Sequence, residues 1–287
     1  MSTADIELPD AAPELRDVRG PSALGGGWRR SWDLLYMIST TEFKRTYFGT
    51  MLGYLWSLGR PLLLFGVLLA VFTQAFHLGR HVADYPVLLL MNIVLFGFFQ
   101  EATTTAVPSI VSQEAIVRKT QFPRLVIPVA VVITSVFNLV LNLVVTFIFI
   151  AAFGVSPRWT WLLIIVTIVL LFVLSIAVAM ILSSLYPRFR DLGIIWSVFA
   201  TALFYATPVL YTLERMSATM RHLLALNPLA VILELARRWV IDPNAPTPAA
   251  IAGGTVRLLI PLAIYLGVCV AAVLVFRREA PRIAEAL

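Results

Sequence analysis

The sequence predicts an all-α integral membrane protein with six transmembrane helices. Three observations carry this. Of the 287 residues, 60% are apolar and only 13% charged, against about 25% charged in an ordinary soluble domain. A single soluble core of this size could not hide so much apolar surface. The apolar residues form long continuous runs, unlike the short alternating segments of a membrane β-barrel. Short charged stretches separate those runs and alternate between rich and poor in Lys and Arg.

A helical span needs about 20 mostly apolar residues. Uncharged stretches run from Pro61 to Gly79, Tyr85 to Gln100, Val126 to Pro157, Trp159 to Pro187, Leu192 to Leu213 and Leu258 to Phe276. The first span is expected to start near Tyr54. That places Arg60 in its opening turns, where its head can snorkel to the headgroups. The second is short and is expected to continue past Glu101 to about Val107, which puts one carboxylate near a membrane edge.

Fifteen of the 22 basic residues fall on one side of this arrangement. They are Arg16, Arg19, Arg29, Arg30, Lys44, Arg45 and Arg60 before or at the first span, Arg118, Lys119 and Arg124 after the second, Arg188 and Arg190 after the fourth, and Arg277, Arg278 and Arg282 after the sixth. The other seven, Arg80, Arg158, Arg215, Arg221, Arg237, Arg238 and Arg257, lie opposite. The positive-inside bias places both termini in the cytoplasm. The net charge of +6 does not point to nucleic acid, because the basic residues are scattered between apolar runs.

Residues 1–27 are different material. Asp5, Glu7, Asp10, Glu14 and Asp17 alternate with Pro, Ala and Gly, and the stretch closes on Gly25-Gly26-Gly27. It has no apolar segment resembling a signal peptide and is expected to be a disordered cytoplasmic tail. Residues 28–50 are expected to form an amphipathic interface helix. Trp28, Trp32, Leu35, Tyr36, Ser39 and Phe43 recur at three- and four-residue steps, while Arg29, Arg30, Asp33, Thr40, Thr41 and Lys44 fall mostly elsewhere. Such a helix lies along a membrane surface, either as a passive anchor or also touching a cytoplasmic partner. Residues 51–287 make up the six-span domain.

Several function classes lack their residues. An ATPase needs a Gly-rich loop ending in Gly-Lys-Ser/Thr, and the only lysines, Lys44 and Lys119, follow no such loop. A membrane prenyl- or glycosyltransferase brings clustered acids to hold a metal-bound diphosphate; here the acids are isolated. His77, His81 and His222 are scattered, and Cys269 is the single cysteine, so no metal site and no intrachain disulfide is expected. Ion-coupled transporters place ionisable groups at the bilayer midplane, and no span centre carries one. The pattern is that of a pathway without its own energy source, and no catalytic residue is assigned.

The segment from Val107 to Pro128 carries the most information. Pro108 can break the preceding helix, and Pro123 and Pro128 fix the re-entry. Between them is room for one short amphipathic helix whose basic end could pair with acidic groups of a partner. An ordinary positively charged loop would explain the charges but not the Phe122-Pro123-Arg124 turn.

With Arg118 to Arg124 inside this segment, four further motifs accompany it: Glu42-Phe43-Lys44-Arg45-Thr46-Tyr47 with Leu52-Gly53-Tyr54-Leu55-Trp56 and Arg60-Pro61-Leu62; Tyr186-Pro187-Arg188-Phe189-Arg190-Asp191-Leu192; Thr207-Pro208-Val209-Leu210-Tyr211; and Leu226-Asn227-Pro228-Leu229. In order and spacing, over about Trp28 to Phe276, the chain resembles the type-2 class of ABC-transporter permeases, specifically the exporters of O-antigen, teichoic acid, galactan and related glycans. Two departures stand out: Glu42 replaces the family's usual Asp before the basic pair, and the acidic tail is not a shared feature.

The resemblance implies a homodimer joined to two copies of a cytoplasmic nucleotide-binding ATPase, which would hold the ATP and Mg; this chain itself takes no cofactor. Ser109, Ile110, Gln113, Glu114, Ile116, Arg118, Lys119, Phe122, Pro123 and Arg124 would couple to the ATPase. Trp28, Arg29, Trp32, Lys44 and Arg45 would belong to the interface helix that also touches it. The substrate would be a lipid-linked polysaccharide crossing a bacterial cytoplasmic membrane. A permease for a small amphipathic drug or a lipid is the other reading. Aromatic faces stack on the apolar faces of sugar rings, which makes Tyr54, Trp56, Phe99, Phe199, Phe204, Tyr205 and Tyr211, with Gln100 as a hydrogen-bonding neighbour, the candidates for a glycan channel. From Thr212 to Gly254 the resemblance implies short re-entrant helices before the last span; the alternative is an interfacial loop with Arg237 and Arg238 snorkelling beside Trp239.

Overall fold

A computed structural model describes residues 35–37, 39–41, 54–74, 84–114 and 124–281. Among these residues every regular element is helical. Five helices are long and apolar enough to cross a membrane: α1 (Tyr54–Gln74), α2 (Tyr85–Ala106), α4 (Val126–Ala152), α5 (Ile164–Leu185, led in by a 3-10 turn at Trp159–Leu163) and α10 (Thr255–Glu279). Between α2 and α4 stands the one-turn helix α3 (Ser109–Ser112), and α6 (Leu192–Ala206) follows α5. Three short helices precede α10: α7 (Ala218–Leu224), α8 (Pro228–Ala236) and α9 (Pro248–Ala252). The end of the bundle where α1 begins is called proximal below, and the opposite end distal.

Local chemistry sets these boundaries. α2 opens after Asp84, which takes the left-handed φ of 53° tolerated by aspartate, and a proline sits in its first turn, where no N–H is needed. Asn227 caps α8 by accepting from Leu229 N–H at 3.0 Å, and Thr247 caps α9 by accepting from Ala250 N–H at 3.2 Å. α4 ends at Gly154, whose φ of 81° favours glycine.

α6 is shorter than the uncharged run from Leu192 to Leu213 implies. Its 15 residues end at Ala206, because Pro208 forces Thr207 into an extended conformation (φ −100°, ψ 143°). Non-helical backbone at such depth is tolerated only where protein satisfies it. Asn92 of α2 supplies that by donating to the Pro208 carbonyl at 3.0 Å, and the Tyr85 hydroxyl donates to the Leu210 carbonyl at 2.9 Å.

α2 is the central element. Its residues Val87, Leu88, Leu89, Leu90, Phe96 and Phe99 are almost wholly covered, as befits a helix apolar on every side. It packs against α4 and α5 and also touches α1 and α6; α10 packs on α5. Lipid is as apolar as leucine, so close packing and interhelical hydrogen bonds hold such a bundle. Ala102, Ala130, Ala179, Ser175 and Ser183 are buried small residues that let backbones approach. Tyr265 of α10 donates to the Leu170 carbonyl of α5 at 3.0 Å, and Trp196 Nε1 of α6 donates to Thr103 Oγ1 of α2 at 3.1 Å. Apolar side chains remain uncovered on α1 (Leu63, Val67), α6 (Ile194, Val198) and α10 (Leu259, Leu274).

At the distal end Arg237 is buried, at 5% exposure. It meets Glu214 at 3.1 Å, Glu234 at 3.4 Å and Asp242 at 3.6 Å. Snorkelling, one expectation from the sequence, therefore does not describe it: its head turns inward to three carboxylates. Arg238 donates to the Ala245 carbonyl. The Trp161 indole N–H donates to the Val240 carbonyl at 3.0 Å and Thr160 donates to the Trp239 carbonyl at 2.6 Å, so the α8 end is stitched to the start of α5.

Candidate functional site

A cavity of about 590 Å³ lies between α1, α2, α4 and α6. Helical periodicity builds each wall. On α2, Ile93, Gly97, Gln100, Glu101 and Thr104 recur at three- and four-residue steps and share one face. α1 presents Trp56, Ser57, Arg60 and Leu64; α4 presents Asn138 and Asn142; α6 presents Ser197, Thr201 and Phe204.

Two polar ties organise this space. Asn138 donates to the Glu101 carboxylate at 2.6 Å, joining α4 to α2. Asn142 donates to the Ser57 carbonyl at 3.3 Å, joining α4 to α1. Pro61 lies inside α1 and has no N–H to offer the carbonyl four residues back, which is that of Ser57. Arg60 lines the same cavity. Phe204 meets Phe96 edge-on with centroids 5.3 Å apart. Gly97 leaves open space where a side chain would stand.

Of the candidate channel residues, Trp56, Gln100 and Phe204 line the cavity. Phe99 is buried between Phe96 and Trp196, at centroid distances of 6.1 and 6.4 Å, and does not reach it. Phe199 and Tyr205 are exposed on α6 outside the lining. The Tyr211 hydroxyl donates to the Tyr205 carbonyl at 3.0 Å, and burial pushes its phenol above the usual range. The side chain of Tyr54 lies outside the described residues, although its backbone is helical in α1.

Of the coupling candidates, Ser109 and Ile110 are turned into the chain's own bundle. Ser109 donates to the Ala106 carbonyl at 2.7 Å. Ile110 is fully buried in a cluster with Ile127, Met180, Ala272 and Phe276. Gln113, Glu114 and Arg124 are half-buried. Ile116, Arg118, Lys119, Phe122 and Pro123 lie outside the described residues, as do Trp28, Arg29, Trp32, Lys44 and Arg45 of the interface helix. The neighbouring part of that segment is helical at 35–37 and 39–41 and docks on α4. Ser39 Oγ reaches the Ala130 carbonyl at 3.3 Å, and Thr134 Oγ1 donates to the Ser39 carbonyl at 3.3 Å.

Arg60, Glu101, Asn138 and Asn142 were not assigned a site role from the sequence. The available signal was a polar face inside an uncharged run: Asn138, Asn142 and Thr146 stand four residues apart. Among the described residues no cluster of His, Cys, Asp or Glu is placed to hold a metal ion.

Membrane-length helices around a polar cavity define a multi-pass membrane protein of the transport class. The chain belongs to the ABC-2 type transporter family, whose description matches residues 33–239, and members of such a family work beside an ATPase. It is similar to an O-antigen export system permease protein RfbA of Klebsiella pneumoniae, 29% identical over 204 residues that cover 70% of this chain and 78% of that protein. It is likewise 29% identical over 231 residues to the O-antigen export system permease protein RfbA of Myxococcus xanthus, covering 79% and 88% of the two chains.

Proposed function

We propose that this chain is the membrane permease of an ABC transporter that exports a lipid-linked polysaccharide, driven by a separate ATPase. The observation that carries this is the cavity: Trp56 and Phe204 offer ring faces, and the adjoining amide and hydroxyls of Gln100, Thr104, Ser197 and Thr201 offer donors and acceptors. Sugars present both an apolar C–H face and a rim of hydroxyls, and this lining complements each. The similarity to permeases named for O-antigen export favours a glycan over a small amphipathic drug.

The working unit in this reading is a homodimer with two ATPase subunits in a bacterial cytoplasmic membrane, both termini cytoplasmic. ATP and Mg reside on the partner. The segment from Gln113 to Arg124 meets the ATPase, while Ile110 anchors it to the bundle. Nucleotide-driven closure of the ATPases acts by favouring one of two permease conformations, which requires different contacts in each.

The test is depletion of the protein in its own cells. Surface glycan should fall and lipid-linked glycan should accumulate on the cytoplasmic side, and a plasmid copy should reverse both. Unchanged surface glycan would exclude the reading.

A further inference from the structure

The charges on the cavity wall carry the reading one step further. Among the described residues its lining holds one carboxylate, Glu101, and one guanidinium, Arg60; every other polar group there is neutral. The carboxylate is held from one side by Asn138 at 2.6 Å, and Arg60 lines the same cavity. We propose that Arg60 and Glu101 form a charge-compensating pair that keeps this passage without net charge, and that the glycan segment lodged in it is itself uncharged.

The proposal rests on the export reading above and names the class of sugar chain. A charge inside a membrane protein needs a partner, because the surrounding medium solvates it poorly. A chain carrying uronic acid, phosphate or sulfate in its repeat would bring such a charge with every unit. Among the described residues the wall holds no second basic group, so Arg60 would have to serve Glu101 and the arriving anion at once, and Glu101 would repel that anion. A neutral, hydroxyl-rich chain meets no such barrier. Its hydroxyls can exchange hydrogen bonds with Ser57, Thr104 and Asn142, and its ring faces can slide along Trp56 and Phe204. Bringing two copies of the chain together doubles both charges and leaves their sum at zero.

Two measurements test this. The lipid-linked glycan that accumulates on depletion is released from its lipid by mild acid and passed over an anion exchanger at neutral pH. The bulk should run through unretained; retention through acidic repeat units would overturn the proposal while leaving export itself intact. Failure of any glycan to accumulate would instead remove the export reading and this proposal with it. In the second measurement, surface glycan per copy of membrane-inserted protein is compared for Arg60→Gln, Glu101→Gln and the double variant. Each single change leaves one charge uncompensated and should cut export several-fold, and the double variant should recover to near the parental level. Unchanged export in both single variants, or a double variant no better than the worse single, would overturn it.

Discussion

Asn142 of α4 donates to the backbone carbonyl of Ser57 on α1, 3.3 Å away, and Pro61 is the reason that carbonyl looks outward for a donor. A helix interior normally satisfies each carbonyl from the N–H four residues on. Here the residue four on is a proline, so a side chain from another helix takes the place. The pair ties α1, whose outward face is largely uncovered, to the rest of the bundle.

A double-mutant cycle checks this. Asn142→Leu should destabilise the protein by about 0.6 kcal/mol, the average for an interhelical side-chain bond in a membrane. In a Pro61→Ala background the helix can serve its own carbonyl, and Asn142→Leu should then cost close to nothing. Unfolding in mixed micelles measures both. An equal cost in the two backgrounds would refute the account.

Gly97 gives a steric test of the cavity. A Cβ built there meets nothing within 4 Å, so Gly97→Ala should leave both folding and export near normal; alanine even favours the helix by about 1 kcal/mol. Gly97→Trp should fill part of the space between Trp56 and Phe204 and stop export while leaving membrane levels unchanged. Surface glycan and immunoblotting read the two effects separately.

Arg237 answers three carboxylates at once. Arg237→Leu leaves the buried Glu234 unpaired, for which about 3–5 kcal/mol of destabilisation is the ceiling, while Glu214 and Asp242, more exposed, can turn to solvent. The expected sign is a lower unfolding temperature and faster proteolysis between residues 208 and 254, with partial rescue by adding Glu234→Leu.

Glu234 makes the same cluster respond to pH. Burial, outweighing the attraction of Arg237, holds its carboxyl above the ordinary value of 4.5. Folding therefore binds a proton more tightly, so the folded state gains as pH falls through the folded value, and the gain is complete only below the unfolded one. The unfolding temperature of the parent relative to Glu234→Gln should rise on going from about pH 8 to about pH 5. A difference that shrinks on acidification would contradict this.

Ile110 and Glu114 are neighbours with different tasks. Ile110→Ala empties a buried position and should cost about 2 kcal/mol or more of stability. Glu114→Ala and Arg124→Ala should leave membrane levels intact and weaken co-purification of the ATPase. Loss of the protein in all three variants would make the whole segment structural.

The run of α2 past Glu101 was legible in the sequence, because a span's length is written in its charge gaps. The end of α6 was not. Apolar residues continue from Ala206 to Leu213, and only the backbone constraint of Pro208, answered by Asn92 on a distant helix, stops the element. Composition likewise cannot show whether an arginine faces water or acids, and Arg237 turned inward because Glu214 and Asp242 arrive from other parts of the chain. The aromatics illustrate the same limit. Trp56 and Phe204 face the cavity, while Phe99 disappears into packing; which side of a uniformly apolar helix is inside depends on its neighbours.

The burial of Ile110 has a mechanical consequence. It shares one buried cluster with Ile127 of α4, Met180 of α5 and the pair Ala272 and Phe276 of α10. Close-packed interiors are stiff and pass displacement on instead of absorbing it. A force applied to the short helix Ser109–Ser112 is therefore shared at once among three long helices, while α1 and α6, on the far sides of the cavity, receive it only second-hand. A displacement of that helix would thus reach α4, the one cavity wall among the three, ahead of α1 and α6.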